Sequence, residues 1–581
     1  MAIHLKCLSF LFLLLLTIAA APDPKLESKP AADLIVSNAK VWTGDSIHPT
    51  AEGVAVIGDR IVAVGSAHEI DAWRGPRTRV IDARGKLLLP GFNDAHVHFV
   101  EGGAQLDSIQ LNDVTSATEF ARRVAERVTS TPKGEWILNG DWDETKWNPP
   151  QLPTKKLIDP ATSDNPVFLD RYDGHMALAN SVALRMAGIT AQTPDPPGGI
   201  IVRDEHGNPT GNLKDAAKDF VLKVIPALSH ERRMRQARRA LAYAASLGVT
   251  SVQEMNDAET DSFADFEVYS ELLERGELTA RIYVAPAIAD WQSQAKVGIR
   301  HGFGSPYLRI GAVKGFADGS LGSRTAYFFQ PYSDAPANFG LLNKEMQPLS
   351  RMQEWMMQAD AAGLQVCTHA IGDRAISTVL DLYAEVEKTN GASDRRFRIE
   401  HAQHMAAKDF DRFAQLNVIA SVQPYQAVDD GRWAEERIGH DRASRTYAFR
   451  TFLNHGVHLA FGTDWPVVPL NPLLGIYAAV TRATLDGKHP GGWFPEQKLT
   501  VSEAVEAYTS GSAYAEFQDK EKGSITAGKL ADMVLLSKDI FSIDPTGIKD
   551  VKAVETIVGG KVVWDAEGGP RVEAERQSGV Q

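Results

Sequence analysis

Apolar and polar positions along this chain alternate in two distinct styles. Near both ends, short β-branched runs are separated by Gly-Asp turns: residues 33–42 and 53–65 early in the chain, 531–536 and 554–564 late. Such runs predict hairpins, and together they predict one small β-sandwich domain built from 33–86 plus 524–566. Between them, strand-like apolar runs alternate with helical patterns, which predicts βα units and a parallel sheet. Eight strands are expected, at 87–91, 249–254, 281–286, 308–314, 364–369, 396–401, 418–423 and 458–463, with helices at 231–247, 349–362 and 375–388. Most of the runs are continuously apolar, as befits strands buried on both faces. Eight such units close a (β/α)8 barrel, so the expected fold class is α/β: a TIM-like barrel over 87–523 carrying the small β domain. The stretch 110–228 is too long for one crossover helix and predicts a subdomain inserted after the first barrel strand, on the face where barrel enzymes place their active sites. A lid or specificity role is expected of it.

The first residues change the picture of where the protein works. Lys6, an apolar run to Ile18, then Ala19, Ala20 and Ala21 ahead of Pro22 make a secretory signal peptide over 1–21. The run falls short of the roughly 20 apolar residues that span a bilayer, so export to the periplasm or medium is expected, with no stable membrane insertion after cleavage. Residues 22–32, rich in Pro, Lys, Glu and Ala, form a tether. Cleavage removes Cys7 and leaves Cys367 alone, so no intramolecular disulfide can form. The formal charge of −13, without basic runs, argues against nucleic acid as a partner.

Candidate chemistry lies at the ends of the predicted strands. Pro90-Gly-Phe-Asn-Asp-Ala-His96-Val-His98 puts two imidazoles on one side of an extended segment, a pairing that suits a shared borderline-soft cation. Lys314, His369, His401 and Asp464 close the fourth, fifth, sixth and eighth strands. Each has an ordinary structural reading as a snorkelling lysine, a hydrogen-bonded histidine or a helix-capping aspartate. Their joint placement at one barrel mouth favours a metal cluster.

This order resembles the amidohydrolase superfamily over nearly the whole chain after the leader. Within it, Val313-Lys-Gly-Phe-Ala-Asp-Gly-Ser-Leu-Gly-Ser-Arg-Thr-Ala326, Asp173-Gly-His175 with Asn180, His369-Ala-Ile-Gly-Asp373 and Gly462-Thr-Asp464 look like the amidohydrolase 3 subgroup that includes N-substituted formamide deformylases. The resemblance implies one or two divalent metal ions, zinc first. His96, His98 and Asp464 would hold one, His369 and His401 a second, and a carboxylated Lys314 would bridge them. It further implies hydrolysis of a C–N bond in a small amide, N-formyl compound or cyclic amide. A cation lowers the pKa of its water from about 15.7 to about 7, and Asp464 would serve that hydroxide as general base and then acid. A homodimer is a family-level expectation.

Other residues keep two readings each. Asp318 either contacts substrate or forms an Asx turn; His175 either reaches the substrate or bonds within its own loop. Cys367 is expected in the core and His404 at the start of a helix, solvated or capping. Esters, lactones and phosphotriesters are electrophiles for the same nucleophile, so those activities remain alternatives, as does a catalytically silent binding barrel, which the full ligand set disfavours. No Walker loop, nucleophile elbow or dinucleotide fingerprint occurs in a strand-to-helix context.

Overall fold

The computed structural model describes residues 30–256 and 262–570; the predicted leader and most of the tether lie outside them. Nine parallel strands organise the centre: β1 (Phe92–Val97), β2 (Val249–Met255), β3 (Arg281–Ala285), β4 (Leu308–Ile310), β5 (Ala312–Phe316), β6 (Gln365–Ala370), β7 (Arg398–His401), β8 (Ile419–Val422) and β9 (Leu459–Phe461). Strands β1 to β4 pair in sequence order as one sheet, β5 to β9 as a second. The expected fourth strand is therefore two. Gly311, at φ +131°, separates them, and a Cβ there would lie 2.1 Å from the Arg300 carbonyl oxygen, so only glycine fits the break. Isolated parallel bridges join Ala287 to Lys314 and Val97 to Trp465 at the two seams.

The expected first strand is corrected. Leu87–Pro90 belongs to the peripheral sheet, pairing antiparallel with Met533–Leu536 and parallel with Lys40–Trp42, and the central sheet begins only at Phe92. Both runs are wholly buried, the second despite Asn93, Asp94 and His96, and the chain passes from one sheet to the next at Gly91, where a Cβ would meet Thr250 at 2.3 Å. Nothing in an apolar pattern marks that change of partner.

The helices follow from their caps and faces. His230–Ser246 starts where the Ser229 hydroxyl accepts from Arg232 N, and buries Met234, Ala237, Leu241 and Ala244 along one stripe. Leu349–Ala361 and Asp373–Asn390 run close to their expected spans.

Around the centre, a seven-stranded sheet combines segments from both chain ends, and a four-stranded sheet holds Leu34–Ser37, Gly53–Ile57, Arg60–Gly65 and Arg79–Asp82. One apolar cluster joins Val36, Val54 and Val56 to Leu88, Met533 and Ile557 across the two. Within 110–228, a five-stranded sheet runs from Ile137–Leu138 to Pro209–Asp215, with its own core around Leu111, Phe120, Trp142, Trp147 and Leu169. No helix among the described residues is long and apolar enough to cross a membrane.

The N-terminal ends of the central strands are plugged by the segment 512–522. Gln253 donates to Ser512 O at 2.7 Å, Gln365 to Ala515 O at 2.7 Å and Arg309 to Glu516 O at 2.9 Å. Glu516 also accepts from Asn93 at 2.7 Å and lies 2.8 Å from Lys522 Nζ. The opposite, C-terminal ends open onto a cavity.

Candidate metal centre

All six expected donor residues converge at those C-terminal ends. The clamp that brings the first strand to the last is built from backbone. Asp464 N donates to His96 O at 2.6 Å and His98 N to Trp465 O at 2.8 Å. Below them the buried Asp94 carboxylate accepts from Thr463 N at 2.9 Å and Thr463 Oγ1 at 2.6 Å. Gly462 permits the approach, since a Cβ there would lie 2.6 Å from His96 N.

Asp464 Oδ1 consequently stands 3.3 Å from His98 Nε2 and 3.4 Å from His96 Nε2, while Oδ2 accepts from Gln426 Nε2 at 3.1 Å. Lys314 Nζ is 3.3 Å from His96 Nε2. The His401 ring lies 4.8 Å from that of His96 and 4.6 Å from that of His369, and His96, His401 and Asp464 offer ligand atoms all within 4.8 Å of one another.

The electrostatics suit ligation. Burial, reinforced by the Lys314 ammonium, holds the His96 imidazole well below its ordinary pKa. Burial and the His401 ring do the same for His369, and burial pushes His401 down to about 4. These are neutral rings with a lone pair to give. Burial opposes the charge of Asp464 as well, but the surrounding imidazoles, His96 foremost, keep its carboxyl below the usual carboxylate range. At His98 burial is outweighed by the hydrogen bond and charge of Asp464, which raise the imidazole pKa; the other three neutral imidazoles around one carboxylate are a donor set for zinc or a similar divalent ion, so the residues fit such a cation.

His175 comes from the 110–228 region, lines the cavity beside His369 at a ring separation of 5.0 Å, and has Nδ1 2.7 Å from Asp215 Oδ1. Its turn is pinned to the loop after β5, where Ser320 Oγ and Ser323 Oγ donate to Asp173 at 2.6 and 3.0 Å. Asp318, the other residue given two readings, ties two loops together. Its carboxylate is fully buried and accepts from Tyr327 N at 2.7 Å, Gly372 N at 2.8 Å and Ile371 N at 2.9 Å, tying the loop after β5 to the loop after β6. His404 is not solvated either: it is buried, with Nδ1 2.8 Å from Thr446 Oγ1, because a bridge between these residues folds the chain over it. Cys367 is core, its thiol pushed up to about 12 by burial.

Sequence reasoning passed over Glu400, which sits 2.6 Å from His96 Nδ1, along with Gln426 and Asp215. Glu400 adjoins His401, and strand alternation sends neighbours to opposite faces. His401 escapes that rule by adopting φ +71° at the strand end. Asp215 lies 40 residues from His175 with no local signal.

Parallel strands with interleaved helices, and histidines, a lysine and an aspartate gathered at their C-terminal ends, define an α/β protein with a candidate metal site. The chain belongs to the amidohydrolase family, whose model matches residues 79–564. It is 40% identical over 546 residues to Protein LONG AFTER FAR-RED 3 of Arabidopsis thaliana, covering 92% of each chain. It is 27% identical over 552 residues to an N-substituted formamide deformylase of Arthrobacter pascens, covering 92% of this chain and 99% of the relative. Among solved structures, an uncharacterized metal-dependent hydrolase from Pyrococcus horikoshii OT3 matches with a TM-score of 0.70 at 28% identity, over 88% of this chain and 99% of the other.

Proposed function

We propose that this protein hydrolyses a C–N bond in a small amide, N-formyl compound or cyclic amide. The observation that carries the reading is the position of Asp464, a buried carboxylate with one oxygen against His96 and His98 and the other against Gln426. His96, His98, His369, His401 and Asp464 would hold one or two divalent ions, zinc first. Bound there, a divalent ion lowers the pKa of water and polarises the scissile carbonyl. Asp464 accepts the proton of the attacking water and returns it to the leaving nitrogen; the Gln426 amide fixes the oxygen opposite the histidines. His175, its Nδ1 proton committed to Asp215, turns Nε2 to the cavity and hydrogen-bonds the substrate. Lys314 cannot ligate as an ammonium; addition of carbon dioxide to the deprotonated amine, with release of one proton, makes it an anionic oxygen donor.

Likeness to the formamide deformylase favours C–N over ester, lactone or phosphotriester substrates. Acidic side chains outnumber basic ones along the cavity lining, which favours neutral or cationic amides. The two central sheets are read as one (β/α)8 barrel, with β4 and β5 as halves of a single strand and the Val97–Trp465 bridge as its closure, capped by a β-sandwich of the peripheral sheets. The first 21 residues support an exported protein, and the partner is the small substrate.

The test is metal content per chain in protein purified without chelators, with Lys314→Ala alongside, followed by an N-formyl and N-acyl amine panel. About two equivalents, falling sharply in the variant, and turnover of an amide are expected. Folded wild-type protein with no metal and no amidase activity refutes the proposal.

A further inference from the structure

Resting on that reading of the site, we infer that Glu400, held by Arg398, is a positioning residue that fixes the tautomer and rotation of His96 and so prepares its Nε2 as a ligand. Glu400 Oε2 lies 2.6 Å from His96 Nδ1, and both side chains are wholly buried. A carboxylate only accepts, so the imidazole proton sits on Nδ1 and the lone pair on Nε2. That Nε2 is the nitrogen standing 3.4 Å from Asp464 Oδ1 and 3.3 Å from Lys314 Nζ. A ring flipped about χ2 would give up the Glu400 bond.

Glu400 is itself immobilised. Arg398 Nε lies 2.7 Å from Oε1 and Nη2 lies 3.1 Å from Oε2. Nη2 also donates to Ala95 O at 2.6 Å and to Ser421 Oγ at 2.8 Å, reaching the backbone of the strand that carries His96 and the neighbouring β8. Nη1 donates to Gln253, whose amide is fixed on Ser512 O at 2.7 Å. The orientation of a ligand at the mouth is thus tied through Glu400, Arg398 and Gln253 to the plug at the far end.

The argument for function is one of cost. Interiors of such strand assemblies are ordinarily filled with layers of branched apolar residues. A buried ion pair is commonly no more stabilising than well-packed apolar residues of the same volume. Stability therefore does not explain a carboxylate and a guanidinium here, whereas orienting a ligand does: carboxylate partners of ligating histidines typically carry about 10–100-fold in metal affinity.

The test compares wild type with Glu400→Gln and with the double variant Arg398→Met/Glu400→Leu, which removes both charges at similar volume, with the fold of each variant checked by circular dichroism. Zinc and cobalt affinities are measured by competition with a chromophoric chelator, together with the visible spectrum of the cobalt protein and the metal-free Tm. Lys522→Met, in the same buried network but remote from His96, serves as control. Both Glu400 variants are expected to bind metal about 10–100-fold more weakly with an altered cobalt spectrum; the double variant also has a lowered metal-free Tm, because Ala95 O, Ser421 and Gln253 lose their donor, and the control changes Tm without changing affinity. A folded double variant with wild-type affinity overturns the assignment of Glu400 alone; failure of both Glu400 variants to fold makes the pair structural and overturns it as well. Wild-type protein that takes up neither metal overturns the hydrolase reading together with it.

Discussion

Asp464→Asn isolates the proton-transfer role from the architecture around it. The substitution is isosteric. One amide oxygen can keep the bond from Gln426 Nε2, now 3.1 Å from Oδ2, while the amide N–H faces the Nε2 atoms of His98 and His96, now 3.3 and 3.4 Å from Oδ1. The backbone clamp between Asp464 and His96 does not involve the side chain, so the fold should persist, although the ionised carboxylate that the imidazoles favour contributes stability at neutral pH that the amide gives up. The neutral amide, however, cannot take a proton from water. Loss of a general acid–base group costs about 10² to 10⁴ in rate, or about 2.7 to 5.4 kcal/mol at about 1.36 kcal/mol per tenfold. The assay is kcat/KM on an N-formyl or N-acyl amine that the wild type turns over, with metal equivalents measured on the same preparations and repeated in excess metal. A variant that holds the wild-type metal complement and keeps more than a tenth of the activity refutes the role. Activity that returns in excess metal would make Asp464 a ligand and no more.

Two further outcomes are expected. Burial, with repulsion from Asp170 and Glu101, pushes the Asp141 carboxyl up to about 8, so the folded protein binds this proton more tightly than the unfolded chain. The stability it brings is complete below about pH 4 and is lost as pH rises through 8; Asp141→Asn escapes that loss, and the urea-derived stability of wild type should fall behind the variant by at most about 2 kcal/mol between about pH 6 and 8. A pH-independent difference refutes the shift. Gly462→Ala would press a methyl onto His96 N at 2.6 Å and His96 Cβ at 2.9 Å, atoms that cannot swing aside; a loss of about 1–3 kcal/mol and reduced metal uptake are expected, and an unchanged Tm with full metal content contradicts the close approach.

The donor residues were readable because each stands at or just beyond the C-terminal end of an expected strand, the end that opens at the mouth. His96, Lys314, His369, His401 and Asp464 all obey this. What could not be read is whatever depends on partner choice. Leu87–Pro90 and Phe92–Val97 are both buried and stand one residue apart, so the pattern could not say that one pairs with Met533–Leu536 and the other with Val249–Met255. Asp318 sits in a glycine-rich loop that resembles a substrate loop, yet its carboxylate is consumed by three amides, two of them more than 50 residues away. Glu400 was masked by the strand alternation that His401 breaks.

The charge balance at the mouth bears on Lys314 more than any motif does. With all four imidazoles neutral, as ligation requires even of His98, whose pKa Asp464 raises, Asp464 contributes one negative charge and an ammonium at Lys314 one positive, so the donor cluster is electrically neutral before any ion enters. A divalent ion would then bring two uncompensated charges into a buried site, next to an ammonium 3.3 Å from a ligating nitrogen. At an effective dielectric near 20, unit charges about 4 Å apart interact by about 4 kcal/mol, and a double charge doubles that repulsion. Converting the ammonium to a carbamate changes the cluster from neutral to two negative charges. One divalent ion is then balanced outright, and a second leaves an excess that a bound hydroxide and the acidic cavity wall offset. If Lys314→Ala left two equivalents of metal in place, the balance would have to be struck by other carboxylates, and Glu101, which lines the cavity and whose charge acts on His98, would become the residue to replace.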